Sequence, residues 1–274
     1  MIQQFKYCKP GLGLSWLMVA LVLVGSLVGG ALTAVWPETA QSLSYLITMC
    51  FPLAACWWIG AQTRLRGEGA LAINAPHFEN LGAPLYLGLA AVAMLTLSVV
   101  IEPTTSFIPM PDSIKAIFEK AFVNSALWDM IVSTCILAPL LEEFLCRGIM
   151  LRGMLARGKA PWKAIFWSAL IFAVMHMNPW QSIPAFIMGL LLGWVYWRTH
   201  SLWASIFLHF LNNATATLIS RVWSDLPIDA GLRDVLPENI YWIVYVAAAL
   251  LLVISLVILN EKTVSPQVQA PVDA

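Results

Sequence analysis

The sequence predicts an all-α protein, a polytopic transmembrane helix bundle of about eight spans. Three observations predict it. Hydrophobic residues make up 60% of the 274 and charged residues only 11%, where a soluble globular chain carries about 25% charged residues. Mean hydropathy is +0.78, so the chain has too little polar surface to cover itself in water. Apolar runs long enough to cross a hydrocarbon core, about 20 residues each, recur along its length.

The runs fall at roughly 12–35, 43–61, 82–101, 126–146, 163–178, 182–198, 201–220 and 240–259. In lipid each must be helical, because a helix satisfies its own backbone hydrogen bonds. The fourth and fifth runs carry polar residues or stop early, and the connection at 178–182 is very short. No cleavable signal peptide is expected, since the first apolar run begins near Leu12 and continues to about Val35. With eight spans both ends lie on one side. Lys6, Lys9, Arg64, Arg66, Arg147, Arg152, Arg157, Lys159, Lys163, Arg198 and Lys262 fall on that side, and only Lys115, Lys120, Arg221 and Arg233 on the other. The positive-inside rule then places both termini in the cytoplasm. A multi-pass protein of a prokaryotic cytoplasmic membrane is the expected setting.

Residues 1–262 read as a single transmembrane domain without an internal repeat, and 263–274, with Pro266 and Pro271, as a disordered cytoplasmic tail. Within 103–125, Ile114, Ile117, Phe118, Ala121 and Phe122 recur at helical spacing opposite Lys115, Glu119 and Lys120. That pattern fits an interfacial helix on the outer side or a tilted start to the fourth span. Residues 221–239 read as a short outer loop. The Gly25–Gly29 spacing permits close helix approach.

Composition also excludes function classes. A net charge of zero offers no nucleic-acid footprint and no polybasic anchor. The five cysteines, Cys8, Cys50, Cys56, Cys135 and Cys146, are scattered and odd in number, with no CxxC pair and no disulfide framework. They read as small apolar packing residues.

Ionisable groups inside a span cost at least about 2.5 kcal/mol on insertion scales, so each is a functional hypothesis. Here they gather late: Glu142 and Glu143 in the fourth span, His176 in the fifth, His209 and Asn213 in the seventh. Glu143 and Arg147 stand at i and i+4 with the acid N-terminal, the favoured order for an ion pair. Glu142 sits about 100° further round the helix and lacks that partner. A carboxylate so placed is a candidate to take a proton from water and return it to a leaving group. As alternatives, the acidic pair caps a helix end near the interface, and His176 packs between helices. His209 and Asn213, again i and i+4, point one way and offer two donors for an oxyanion, or an interhelical hydrogen-bond pair. Glu142 and His209 fall at similar depths, about 7–13 Å from the cytoplasmic boundary by helical rise. His176 is deeper, and needs tilt or an unwound fifth span to come level.

The ordered trio EExxxR (Glu142, Glu143, Arg147), FxxxH (Phe172, His176) and HxxxN (His209, Asn213) resembles the motif set of the CAAX-protease-like family, also called CPBP or Abi. Ser201–Asn213 resembles the family's third motif over its length, and the resemblance covers roughly 126–220. It implies an eight-helix intramembrane endopeptidase with a cavity open to the cytosol. Carried over residue by residue, Glu142 activates the water with help from His176, His209 and Asn213 hold the oxyanion, and Glu143, Arg147 and Phe172 support the site. The substrate implied is a membrane-associated or lipid-anchored protein or peptide in the bilayer. No cofactor is expected. Zinc is the alternative, although HExxH, with two ligands on one helix, is absent from the sequence. Two other readings compete: a non-catalytic immunity or scaffold protein of the same fold, and a proton-coupled transporter, whose broken helices and repeats are not evident here.

Overall fold

A computed structural model describes residues 2–36, 40–120, 125–223 and 225–262. The 263–274 tail lies outside them, as do Ala121 and Phe122. The described residues form helices and connections without a strand. The principal helices are α1 (Leu12–Val35), α2 (Gln41–Leu65), α3 (Gly82–Ile101), a short α4 (Asp112–Phe118), a long composite α5 (127–156), α6 (Pro161–Val174), α7 (Pro179–Thr199), α8 (Leu202–Val222) and α9 (Glu238–Lys262).

Five of these, α1, α2, α3, α8 and α9, are long and apolar enough to cross a membrane. The three other expected spans correspond to α5, α6 and α7, which are interrupted, short or more polar. A physical reason lies in their position. Leu145–Met154 of α5 are buried throughout, and α7 buries Gly189, Leu191, Leu192, Gly193, Val195 and Tyr196. Helices shielded by protein need not be apolar on every face.

Antiparallel neighbours pair first: α1 on α2, α6 on α7, and α9 on α3. Gly25 and Gly29 make the first pairing possible. A Cβ on Gly25 would collide with the Thr48 backbone, and one on Gly29 with Ser44, so the two helix axes approach as small-residue packing allows. Asp129, at the start of α5, accepts from the free N–H groups of Gln41 (2.7 Å) and Ser42 (3.0 Å) at the start of α2. It caps a helix that has no side-chain cap of its own.

Two features differ from the sequence expectation. First, α5 does not end near Arg147. It runs on to Ala156, and the part beyond the acidic pair is core: Leu145, Cys146, Ile149, Met150, Leu151 and Met154 are fully buried. Glu142 therefore lies about four turns from the helix end, not just inside a boundary. Arg147 and Arg152 are likewise interior rather than loop cations. Arg152 donates to the carbonyls of Phe5 and Cys8 at 2.9 and 2.8 Å, and also to those of Lys6 and Leu71. It fastens the N-terminal segment under the bundle. Second, α6 stops at Val174, and a turn with Met177 at φ 57° leads into α7, which Asn178 caps. The 103–125 region holds a separate short helix, α4, the first of the two forms its periodicity allowed, and none of its residues is buried. Lys115 on it pairs with Asp229 at 2.6 Å. That hydrogen bond raises the Lys115 pKa above the ordinary lysine value.

Of the five cysteines, four are buried and Cys50 is exposed; all are free thiols.

Candidate active site

The site is built on an unusual stretch of helix. Within α5, wide π turns over Ile131–Leu137 and Phe144–Leu151 flank the α-helical segment Ala138–Glu143. π segments occur often at functional sites because they shift the register of side chains and carbonyls. Pro139 adds to this, since it has no N–H to give. In a π register its missing donor would have served Thr134. The Thr134 carbonyl is taken instead by Asn213 Nδ2 at 2.9 Å, which ties α8 to α5 about two turns before the acidic pair.

Glu143 and Arg147 form the ion pair their spacing implied, at 2.7 Å, with both side chains wholly buried. The guanidinium also donates to the Gly189 carbonyl of α7 at 3.0 Å and lies 4.6 Å from the centroid of the Phe172 ring. Close passage of α7 depends on Gly189, where a Cβ would crowd Ala169 and Arg147. Glu143 Oε2 and Arg147 Nε are buried without a hydrogen-bond partner.

His209 Nδ1 lies 2.9 Å from Glu143 Oε1. A carboxylate held by an arginine can only accept, so Nδ1 carries the proton and donates. Nε2 is thereby turned towards Glu142, whose Oε2 is 3.9 Å away. The other Glu142 oxygen accepts from Tyr45 of α2 at 2.7 Å. Glu142, expected to lack a partner, thus has one, supplied by a helix more than ninety residues away in sequence. Nothing in the sequence marks Tyr45, because a tyrosine in an apolar span reads equally well as a packing or interfacial residue.

His176 lies in the turn after α6 rather than inside the helix. Its Nδ1 is 2.9 Å from the Phe172 carbonyl. The Phe172 ring meets both imidazoles edge to face, His176 at 5.0 Å and His209 at 5.6 Å between centroids. Early termination of α6 is what brings His176 to the cavity where Glu142, His209 and Asn213 also lie.

That cavity measures about 830 Å³. Tyr45, Glu142, His176, His209 and Asn213 form its deep wall, and residues of both far loops, Ile108–Met110 and Ile228–Gly231, form its other end. Trp180 Nε1 donates to the Ile108 carbonyl at 3.0 Å and holds one of those loops over the turn that carries His176. The cavity therefore reaches the end of the bundle opposite the termini.

Zinc can be weighed against this donor set. Among the described residues no group of three or more His, Cys, Asp or Glu is arranged to hold a metal ion. Nδ1 of His209 faces Glu143 and Nδ1 of His176 a backbone carbonyl, partners that metal-binding histidines also have, so these two bonds do not weigh against a metal.

Fold and cluster together define a class: a helical membrane protein that buries a Glu–Arg–His cluster beneath a polar cavity. Residues 124–215 match the family model described as Type II CAAX prenyl endopeptidase Rce1-like. The matched segment is CAAX-protease-like, and it contains Glu142, Glu143, Arg147, Phe172, His176, His209 and Asn213. No curated protein and no solved structure matches the chain.

Proposed function

We propose that this protein is an intramembrane endopeptidase that hydrolyses a peptide bond with a water activated by Glu142. The observation that carries the reading is the setting of that carboxylate. One oxygen is anchored by Tyr45, and the other faces His209 Nε2 across 3.9 Å at the wall of a cavity. A polar separation of that size is what a water touching both groups would fill.

In this reading Glu142 takes a proton from the water as the hydroxyl adds to the scissile carbonyl carbon. The developing oxyanion is met by the remaining amide hydrogen of Asn213, beside the Nε2 edge of His209. His176 assists from the α6–α7 turn. Collapse of the intermediate breaks the C–N bond, and Glu142 returns its proton to the leaving amine. Glu143 orients His209, as a second carboxylate does for a histidine base elsewhere. Arg147 holds Glu143 in place through the 2.7 Å ion pair. A buried ion pair with unsatisfied atoms on both partners is weak support for stability, and a role in orienting His209 gives it a function.

The mechanism requires no metal. Both termini are assigned to the cytoplasm on the distribution of basic residues, and residues 1–262 to one transmembrane unit. The test is cleavage of quenched-fluorescent hydrophobic peptides by purified protein in bicelles. Wild type turns the peptides over and Glu142→Gln does not. Equal turnover by the variant removes the reading.

A further inference from the structure

A row of hydrogen bonds that begins at the Thr134 carbonyl sets the orientation of the Asn213 amide. That carbonyl can only accept, so the Asn213 atom 2.9 Å from it is Nδ2, and Asn213 Oδ1 points the other way. Oδ1 in turn takes a donor, Asn212 Nδ2, at 3.2 Å. Asn212 Oδ1 is thereby turned towards α3, where the Ser98 hydroxyl donates to it at 2.9 Å. The Met94 carbonyl, also 2.9 Å from Ser98 Oγ, has the N–H of its own helical turn, so Asn212 is the acceptor that depends on the hydroxyl proton. Turning either amide over would set like groups face to face. One Asn213 amide hydrogen is left free, on a residue that lines the cavity.

Asn212 and Ser98 are not among the described residues that line the cavity, so they act on Asn213 and not on what the cavity holds. A clip between α3 and α8 needs only the Ser98–Asn212 bond. The bond from Asn212 to Asn213 joins neighbours on one helix, whose side chains ordinarily diverge by about 100°, and it adds nothing to the association of the two helices. What it does is hold the second end of the Asn213 amide. The last side-chain torsion of asparagine has a broad, roughly two-fold preference. An amide held only at Nδ2 is free to swing, and one turned over presents an oxygen to a developing negative charge.

We infer that Ser98 and Asn212 are positioning residues for Asn213: together they fix its amide so that an N–H, and not the oxygen, is presented where the oxyanion forms. The inference rests on the proteolytic reading for the oxyanion, and on the hydrogen bonds alone for the orientation. Donors fixed before the reaction need no reorganisation when charge develops. Ser98 carries the site onto α3, outside the 124–215 segment that matches the family model.

Ser98→Ala and Asn212→Ala should each lower kcat on the quenched peptides by about 2–10-fold, the worth of one neutral hydrogen bond, with KM near wild type. Ser98→Thr, which keeps the hydroxyl, should recover most of the rate lost in Ser98→Ala. In an Asn212→Ala background Ser98→Ala should cost nothing further, because Ser98 acts through Asn212. A helix clip gives a different pattern: a lower melting temperature with kcat unchanged, or a Ser98→Ala loss that persists in the double variant. Either result overturns the inference. A second measurement reads the amide without turnover. In protein carrying isotope-labelled asparagine, the Asn213 side-chain NMR signals are assigned by their absence in Asn213→Asp. They should move in Ser98→Ala, stay near wild type in Ser98→Thr, and be insensitive to Ser98→Ala once Asn212→Ala is present. Signals unmoved by Ser98→Ala overturn the positioning role while leaving a cleaving wild type as the proteolytic reading has it. If the wild type cleaves no peptide, that reading falls and the amide signals alone decide whether Ser98 and Asn212 hold Asn213.

Discussion

Tyr45 donates to Glu142 Oε1 at 2.7 Å, and in doing so links α2, outside the region that resembles a known family, to the motif-bearing helix α5. The bond fixes which Glu142 oxygen faces His209. It also makes the first third of the chain part of the site.

Tyr45→Phe should therefore lower kcat while leaving KM and thermal stability near wild type. A hydrogen bond to a charged group contributes about 1.5–3 kcal/mol, which corresponds to roughly 10–100-fold in rate. Steady-state kinetics on the quenched peptides give the number. Unchanged kcat would show that Glu142 needs no anchor from α2.

The two glutamates should separate by stability. Glu142→Gln should abolish turnover with little change in melting temperature, because the carboxylate is at the cavity wall and its loss leaves no buried charge alone. Glu143→Gln strands the buried Arg147 and should cost about 3–5 kcal/mol as well as activity. Thermal unfolding in detergent micelles beside the cleavage assay distinguishes them. Equal stabilities would contradict the burial of the Glu143–Arg147 pair.

Asn213→Ala should act twice. It removes the donor to the half-buried Thr134 carbonyl, a hydrogen bond worth about 0.5–1.5 kcal/mol, and it removes an oxyanion donor, worth about 10²–10³ in rate. Asn213→Asp keeps the side chain's shape but not its donors and should be at least as inactive. A variant that is destabilised yet turns over normally would confine Asn213 to a structural role.

Activity should survive exhaustive chelation of well-folded protein. His209→Ala should then reduce turnover with a smaller effect on substrate binding, because oxyanion donors act mainly where charge develops. Elemental analysis of wild type and His209→Ala supplies the check. One tightly bound zinc per chain in the wild type, lost together with activity in the variant, would move His176 and His209 to a ligand set and remove the metal-free mechanism.

The all-α membrane class, the positions of the long apolar helices and the face shared by Glu143 and Arg147 follow from local sequence alone. Hydrophobic run length and helical periodicity are local properties, legible without neighbours. The same locality put the end of α5 in the wrong place. Leu145–Met154 and Arg152 look like a span ending in a basic loop until the N-terminal carbonyls and buried side chains that surround them are known. His176 was counted as a residue deep in a helix, whereas α6 stops at Val174 and lifts it into a turn; no Gly or Pro marks that stop before Pro179. Only tertiary structure decided that Tyr45 reaches Glu142, that Asn213 serves a carbonyl left open near Pro139, and that the cavity leads away from the termini. Each of these depends on which groups separate helices bring within hydrogen-bond distance, and that is set by packing rather than by the order of residues along any one of them.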